Sequence, residues 1–205
     1  MFRVYLVTSG SEAAAAGLPE AVAAALAGFP PGAAAVQLRE KQLAGGDLFR
    51  LTQVLRQICR ARGAPLIVNG RADVVLAAAA GGVHLPESGL PIAASRALLG
   101  PDAIVGKSCH DLAGLRAAAA EGATFAVYGP VWATPGKGPP IGAAAFAEAA
   151  AAVSLPVFAL GGVDETNARA ALDAGARGIA CSRAVLGAAD PRAAAERLWA
   201  ALGAA

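Results

Sequence analysis

The sequence predicts an α/β fold: a single (β/α)8 TIM barrel with eight parallel strands inside a ring of helices. Short β-branched or apolar runs alternate with alanine-rich helical segments eight times. This alternation is typical of a parallel sheet covered by helices. No linker or change in composition divides the 205 residues, so one domain over residues 1–205 is predicted. A doubly wound open sheet is the structural alternative.

The predicted strands are runs of four or five residues, rich in Val, Ile, Leu and Phe, that end near Gly or polar residues. Such runs are typical of strands buried on both faces. They cover residues 4–8, 35–39, 66–69, 82–85, 104–108, 125–129, 157–160 and 178–181.

The predicted helices lie between these strands and are dominated by alanine, the residue that favours helix most. Glycines that follow the helical runs are expected in the left-handed position after the helix, and three aspartates are expected as N-caps. The glycines are Gly63, Gly81, Gly100, Gly122 and Gly175, and the aspartates are Asp111, Asp164 and Asp190. The helices cover residues 19–27, 47–62, 72–80, 92–99, 112–121, 143–153, 165–174 and 191–202.

Composition excludes several classes of protein. Hydrophobic residues make up 56% of the chain, but no apolar run reaches the roughly 18 residues needed to cross a membrane. The net charge is +2 and the sequence contains no run of basic residues, so no nucleic-acid partner is expected. The N-terminus has no signal-peptide layout, and three widely spaced cysteines indicate a reducing compartment. We therefore expect a cytoplasmic protein.

Polar residues end the second predicted strand at Gln37, Arg39 and Lys41. Alternation along a strand places these three on one face, while Leu38 points to the helices. Two cations facing inward are costly without an anion, so an anion site at the barrel mouth is one interpretation. Salt bridges to neighbouring loops are the alternative.

The last two strands end in a pattern typical of a phosphate site. Gly161 and Gly162 follow strand seven, and Cys181 and Ser182 precede a short helical segment predicted over residues 183–186. Glycine allows close approach of backbone to phosphate, and a helix N-terminus offers N–H groups. A simple tight turn is the alternative interpretation.

The two histidines receive different expectations. His84 lies within an apolar strand and is expected to be packed and hydrogen-bonded. His110 follows Ser108 by two residues towards the mouth, with a capping or core role as its alternative. Asn69 ends strand three, where a turn role is the alternative. The cysteines are expected to be inert, and no ligand spacing predicts a transition-metal site.

Several of these stretches resemble the thiamine phosphate synthase/TenI family. The resemblance implies that Gln37, Arg39, Lys41 and Asn69 meet a substrate pyrophosphate and that Ser108 points inward. It implies that Thr134 and Lys137 bind ligand from the loop after strand six. The matching stretches are residues 5–8, 36–41, 67–69, 82–85, 129–135, 160–162 and 178–182.

The chain departs from the family pattern at three positions. The two aspartates that hold Mg²⁺ in the synthase branch are Gly70 and Gly89 here, and the TenI-type histidine after the strand-six glycine is Pro130. We therefore expect no metal site, and no cofactor unless the chain is a Mg²⁺-dependent synthase. If the chain is a synthase, Glu87 is the residue expected to substitute in part for the missing carboxylates.

These features lead to a first hypothesis for function. The chain is expected to be a TenI-like protein of thiamine biosynthesis that binds a phosphorylated thiazole or thiamine phosphate, as a metal-independent thiazole tautomerase (an isomerase). His110 is the expected proton shuttle, with Lys41 as a weaker candidate. The alternatives are thiamine phosphate synthase, a transferase, and a non-catalytic binder of a thiamine precursor. A homodimer is left open.

Overall fold

Eight parallel strands form a closed barrel in the order β1 to β8 among residues 1–10 and 17–203, which the computed structural model describes. This confirms the predicted TIM barrel, and the open-sheet alternative is wrong. Residues 11–16 and 204–205 of the predicted domain lie outside the described residues. The strands are β1 Val4–Val7, β2 Ala34–Leu38, β3 Leu66–Asn69, β4 Gly82–Leu85, β5 Ile104–Cys109, β6 Phe125–Tyr128, β7 Val157–Leu160 and β8 Gly178–Cys181.

One helix follows each strand within the described residues, and together they surround the barrel. Their buried faces are built mainly from alanine and leucine, which allows close packing on the sheet. They are α1 Leu18–Ala27, α2 Gly45–Ala61, α3 Ala72–Ala78, α4 Ile92–Leu99, α5 Leu112–Ala120, α6 Gly142–Ala151, α7 Ala168–Asp173 and α8 Pro191–Ala201.

Strand residues alternate between two separate apolar cores. On β1, Tyr5 belongs to the core inside the barrel, whereas Val4 and Leu6 pack against the helices. The inner core is built around Phe2, Tyr5, Phe125 and Phe158, whose ring centroids lie 5.1–5.6 Å apart along their closest contacts. The barrel is therefore filled by aromatic rings below its mouth, not hollow.

Most of the expected helix boundaries are confirmed. Gly63, Gly100, Gly122 and Gly175 have positive φ angles of 62°, 89°, 78° and 87°. The Asp111 side chain accepts from Gly114 N at the start of α5, and that of Asp190 accepts from Ala193 N at the start of α8. These bonds satisfy amides that the helix leaves unpaired.

Two expected caps are wrong. After α3 the left-handed residue is Ala79, with φ 48°, whereas Gly81 already donates to the Leu66 carbonyl beside the sheet. Asp164 does not cap a helix starting at residue 165, because its carboxylate accepts from Thr166 N and closes a separate turn. The helix α7 begins later, with Asn167 at its N-cap.

The helices of the described residues do not include a candidate membrane span. Within the described part of the chain, no helix combines the length and the apolar character needed to cross a bilayer.

Candidate active site at the barrel mouth

The end of β2 places an amide inside the barrel and two cations above it. Gln37 is buried and hydrogen-bonds the Tyr5 hydroxyl, while Leu38 packs in the outer core as predicted. Because β2 ends at Leu38, Arg39 and Lys41 lie on the loop beyond it. Arg39 is half-buried and Lys41 is exposed. The cations are therefore at the rim of the mouth and the amide is at its floor.

A buried carboxylate holds this loop in position. Glu40, only 5% exposed, accepts from Thr8 Oγ1 at 2.5 Å and from Gly10 N at 3.1 Å. Thr8 Oγ1 in turn accepts from Arg39 N at 2.9 Å. Glu40 also accepts from Gln42 Nε2 at 2.8 Å. These bonds tie the loop after β1 to the loop after β2, with Arg39 and Lys41 on either side of the anchor.

Lys41 faces a cleft between the loops that follow β2 and β3. The cleft has a volume of about 240 Å³ and includes Asn69, the predicted residue at the end of β3. Arg71 lies on its edge and is fixed by a bidentate pair with Asp73, at 2.8 and 2.6 Å. The cleft is lined by Leu38, Glu40, Lys41, Leu43, Leu48, Asn69, Gly70 and Arg71.

A line of hydrogen bonds crosses the floor of the mouth from β1 to β5. Tyr5 Oη lies 3.3 Å from His84 Nδ1, and His84 Nε2 lies 2.9 Å from Ser108 Oγ. Burial lowers the pKa of His84 to about 3, with smaller contributions from the charges of Lys107 and Arg39. His84 is therefore packed, hydrogen-bonded and neutral at physiological pH, as its apolar strand predicted. Ser108 points inward, as expected.

His110 lies at the rim, not in the core and not at a helix cap. Its side chain is 55% exposed, its Nδ1 lies 3.2 Å from the Gly129 carbonyl, and its Nε2 lies 3.9 Å from Glu87 Oε2. The imidazole thus bridges the loops after β4 and β6. Neither its capping nor its core alternative is what the structure shows, since Asp111 caps the helix.

The loops after β6 and β7 are bonded to each other. Val131 N donates to Leu160 O at 2.9 Å, and Trp132 N donates to Gly161 O at 3.0 Å. A Cβ on Gly161 would lie 2.5 Å from Pro130, and one on Gly162 would lie 2.6 Å from the Ala133 carbonyl. Both glycines also have positive φ angles, 98° and 64°. Glycine at both positions is what allows these loops to touch.

Backbone amides converge at the ends of β7 and β8, which are neighbours in the barrel. In the described part of the chain, the N–H groups of Gly162, Arg183 and Ala184 donate to no backbone carbonyl. Residues 183–186 form a turn in which Val185 N and Leu186 N donate to Ser182 O, and the short helix predicted there is wrong. The amides, not a helix terminus, are available to an anion.

Cys181 is buried at this end of β8, and burial raises the pKa of its thiol to about 12. Burial also raises the pKa of Cys109 to about 11 and that of Cys59 to about 12. All three thiols are therefore protonated at neutral pH, in agreement with the inert role expected for them.

The predicted ligand-binding residues after β6 lie on the outer part of the same loop. Thr134 Oγ1 donates to Trp132 O at 3.0 Å, and Lys137 N donates to Thr134 O at 3.1 Å. These bonds close a turn that leaves the Lys137 side chain exposed. Lys137 adds a third cation to the rim, on the side away from Arg39 and Lys41.

Three comparisons with known proteins bear on this site. Residues 4–185 match the family described as thiamine monophosphate synthase. The chain belongs to that family.

Relatives in the thiamine monophosphate synthase family are similar over almost the whole chain. A putative thiamine-phosphate synthase of Geobacter sulfurreducens is 44% identical over 98% of this chain and 94% of that protein. A thiamine-phosphate synthase of Roseiflexus sp. is 41% identical over 96% and 84%. A solved thiamine phosphate pyrophosphorylase from Pyrococcus furiosus superposes with a TM-score of 0.88 at 32% identity, covering 98% and 96% of the two chains.

The residues present do not fit the Mg²⁺ site that the family resemblance implies. Gly70, with φ 67°, and Gly89 offer no side-chain oxygen at the two positions concerned. Among the described residues, no three His, Cys, Asp or Glu side chains form a group that could hold a metal ion. Hard oxygen ligands are what Mg²⁺ requires of a protein. Glu87 is a single carboxylate, and it faces His110.

Sequence reasoning missed three functional features of the mouth. Glu40 lies between Arg39 and Lys41 in sequence, and its bond to Thr8 depends on pairing between β1 and β2. Tyr5 belonged to a matching stretch, but its contact with His84 spans 79 positions of sequence. Lys107 alternates with the inward-facing Ser108 along β5, and its contacts with Pro86 and Glu87 form only between neighbouring strands. Only the assembled barrel brings these groups to the mouth.

Proposed function

We propose that this chain is a thiamine-phosphate synthase, a transferase that joins a pyrimidine pyrophosphate to a thiazole phosphate. One observation carries the proposal: the mouth has two separate places for anions. Arg39 and Lys41 follow β2, whereas the amides of Gly162, Arg183 and Ala184, which donate to no backbone carbonyl among the described residues, follow β7 and β8. Since β1 lies between β8 and β2 in the barrel, the two places are separate positions on the same rim.

Two anion sites suit two phosphorylated substrates. In the proposed reaction a ring nitrogen of the thiazole forms a bond to the methylene carbon of the pyrimidine. The bond from that carbon to oxygen breaks, and pyrophosphate leaves with the electron pair. The rim cations Arg39 and Lys41 would bind the pyrophosphate end, and the amide cup would bind the thiazole phosphate. The neutral floor of Gln37, His84 and Ser108 would orient the rings without adding charge.

Relatives favour this proposal over the tautomerase expected from sequence. The relatives compared above carry synthase names, and Pro130 stands where the TenI-type histidine is placed. A tautomerase acting on one thiazole phosphate needs only one anion site. His110 as a proton shuttle stays a prediction, as does the role of Lys41, and both belong to that less supported function.

The test is to incubate the full chain with both substrates and to measure thiamine phosphate and pyrophosphate by chromatography. We expect both products in equal amounts, and none when either substrate is omitted. An Arg39→Met variant should lose most of this turnover, whereas Arg177→Met, which removes an equal charge at an exposed position after α7, should not.

Other outcomes identify the other functions. Isomerisation of the thiazole phosphate alone, lost in His110→Asn by about a hundredfold, would establish the tautomerase instead. Binding of thiazole phosphate without formation of any product would establish the non-catalytic binder.

A further inference from the structure

The turn after β4 carries a lysine ammonium beside one of the two glycines that replace metal-binding aspartates. Lys107 Nζ donates to the carbonyls of Pro86 and Glu87, at 3.0 Å each. Gly89 N donates to the same Pro86 carbonyl at 2.8 Å. The ammonium and the Gly89 amide thus share one acceptor oxygen, so the charge of Lys107 lies next to Gly89.

Lys107 has the capacity to meet a ligand as well. An ammonium has three N–H donors, and the two carbonyls engage two of them. The side chain is half-buried, so its charge is screened less than that of an exposed lysine. The charges of Lys107 and Arg39 both lower the pKa of His84, so both cations lie within electrostatic reach of the imidazole. Arg39 follows β2 and Lys107 lies on β5, so β3 and β4 separate the strands that carry the two cations.

We propose that Lys107 takes over the role of a metal ion here, as the fixed positive charge that a pyrophosphate group meets beside the turn after β4. This rests on the proposed function, because it concerns the pyrophosphate end of that reaction. Arg39 binds the anion from the side of β2 and Lys107 from the side of β5. The pyrophosphate site then needs no protein carboxylates, in agreement with Gly70 and Gly89.

The simpler role of Lys107 is to satisfy two turn carbonyls, and it makes a different prediction. A lysine with that role alone would affect stability when replaced, but not anion affinity. An added carboxylate at Gly89 would also meet resistance, since a Cβ there lies 2.9 Å from the Pro86 carbonyl. The turn is therefore built around the lysine and leaves little room for an aspartate.

The experiment is calorimetry with inorganic pyrophosphate and the full chain, in EDTA and then in Mg²⁺. We expect the wild-type dissociation constant in EDTA to lie within about threefold of that in Mg²⁺. Lys107→Met should weaken binding in EDTA by about tenfold or more, the scale of one lost charge-assisted hydrogen bond. Lys107→Arg should restore it, and Arg177→Met is the matched control that should not change it.

Two results would overturn the proposal. One is wild-type binding that disappears in EDTA and returns with Mg²⁺, and this needs no variant. The other is a folded Lys107→Met chain, judged by its melting curve, that binds as tightly as wild type. Glu87→Gln tests whether Glu87 is instead the ligand of a metal ion. If this variant binds pyrophosphate more weakly only when Mg²⁺ is present, the cation of the site is Mg²⁺ held by Glu87. Binding without Mg²⁺ but without turnover would refute only the proposed function.

Discussion

At the scale of single residues, His84 shows how burial sets the charge of the mouth. Its ring contacts Tyr5 and Phe125, with centroids 5.7 and 6.0 Å away, and its nitrogens reach Tyr5 and Ser108. Adding a proton there would place a third positive charge within electrostatic reach of the cations Arg39 and Lys107. A neutral imidazole avoids that repulsion and keeps the floor of the site uncharged.

The lowered pKa of His84 predicts a pH-dependent stability. The unfolded chain protonates this histidine near pH 6.5, whereas the folded chain does so only near pH 3. Its contribution is therefore fully present above about pH 6.5 and falls as pH decreases, by up to about 1.4 kcal/mol per pH unit. Urea unfolding of wild type and His84→Gln at several pH values measures this. The difference between them should shrink towards acid pH, and a constant difference would contradict it.

Substitutions of Gly162 should separate steric from electrostatic effects at the proposed phosphate cup, which consists of the amides of Gly162, Arg183 and Ala184. Gly162→Ala introduces a Cβ at φ 64° against the Ala133 carbonyl, and should cost about 1–3 kcal/mol of stability. Gly162→Asp adds repulsion of the anion at close range and should abolish binding of thiazole phosphate. Calorimetry on both variants separates the effects, with alanine as the control. Equal affinity in the two variants would contradict a cup at this position.

The sequence predicted the environment of a side chain where that environment is set by nearby residues of the chain. Alternation along β2 predicted that Leu38 packs outward, and an apolar strand predicted a packed His84. It did not foresee Glu40 as an anchor or Lys107 as a charge beside Gly89. Both depend on contacts between loops that form only when the barrel closes, so no spacing along the sequence predicts them.

At the scale of elements, the loops after β1 and β2 act as one unit through Thr8 and Glu40. The Thr8 hydroxyl donates to a buried carboxylate and accepts from Arg39 N. The bond to Glu40 is buried and the bond from Arg39 N is partly buried. Loss of the hydroxyl removes the acceptor of Arg39 N, whereas Glu40 keeps Gly10 N and Gln42 Nε2 as donors. The position of Arg39 therefore depends on a residue from another strand.

Thr8→Val removes this hydroxyl with little change of shape. It should destabilise the chain by about 1–3 kcal/mol and weaken pyrophosphate binding, since Arg39 N loses its acceptor and Glu40 loses one of its donors. Thr166→Val is the matched control: its hydroxyl donates to Asp164 at 2.6 Å at an exposed site, and the loss should stay within about 0.5 kcal/mol. Thermal melting with calorimetry tests both. Equal effects of the two substitutions would show that the anchor is not important.

Element boundaries were predictable where a cap is local and not where tertiary contacts decide. Asp111 and Asp190 cap helices through bonds to the third residue after them, which sequence spacing shows directly. Gly81 is drawn to the Leu66 carbonyl, so Ala79 adopts the left-handed conformation instead. The turn after β8 similarly replaces a predicted helix.

At the scale of the whole molecule, the barrel is stabilised by an aromatic core whose upper residues, Tyr5 and Phe125, contact His84 at the floor of the mouth. Phe158 is fully buried and contacts Phe2, Tyr5 and Phe125. Phe158→Ala should therefore cost about 3–5 kcal/mol, as is usual for a buried phenylalanine. Leu76→Ala on the surface of α3, where the residue is 62% exposed, should cost within about 0.5 kcal/mol. Urea unfolding compares them; a small effect at Phe158 would contradict a tightly packed interior.

The architecture itself was accessible from sequence, because eight repeats of one pattern leave few ways to build a sheet. Every predicted strand is present within one residue of its boundaries, apart from the polar residues at strand ends. The nature of the ligand was not accessible in the same way. Arg39 and Lys41 follow β2, Lys107 lies on β5 and Lys137 follows β6, so only closure of the barrel places these cations around one opening.

The bonded loops after β6 and β7 have a consequence for how ligand is selected. Since Trp132 N is held by Gly161 O, the segment that carries Lys137 and the amides of the cup form one continuous surface. We therefore expect a phosphate bound at these amides to influence the position of that segment as well. A thiazole without its phosphate has nothing with which to shift it. We expect the chain to discriminate between the alcohol and its phosphate by more than the loss of direct contacts alone.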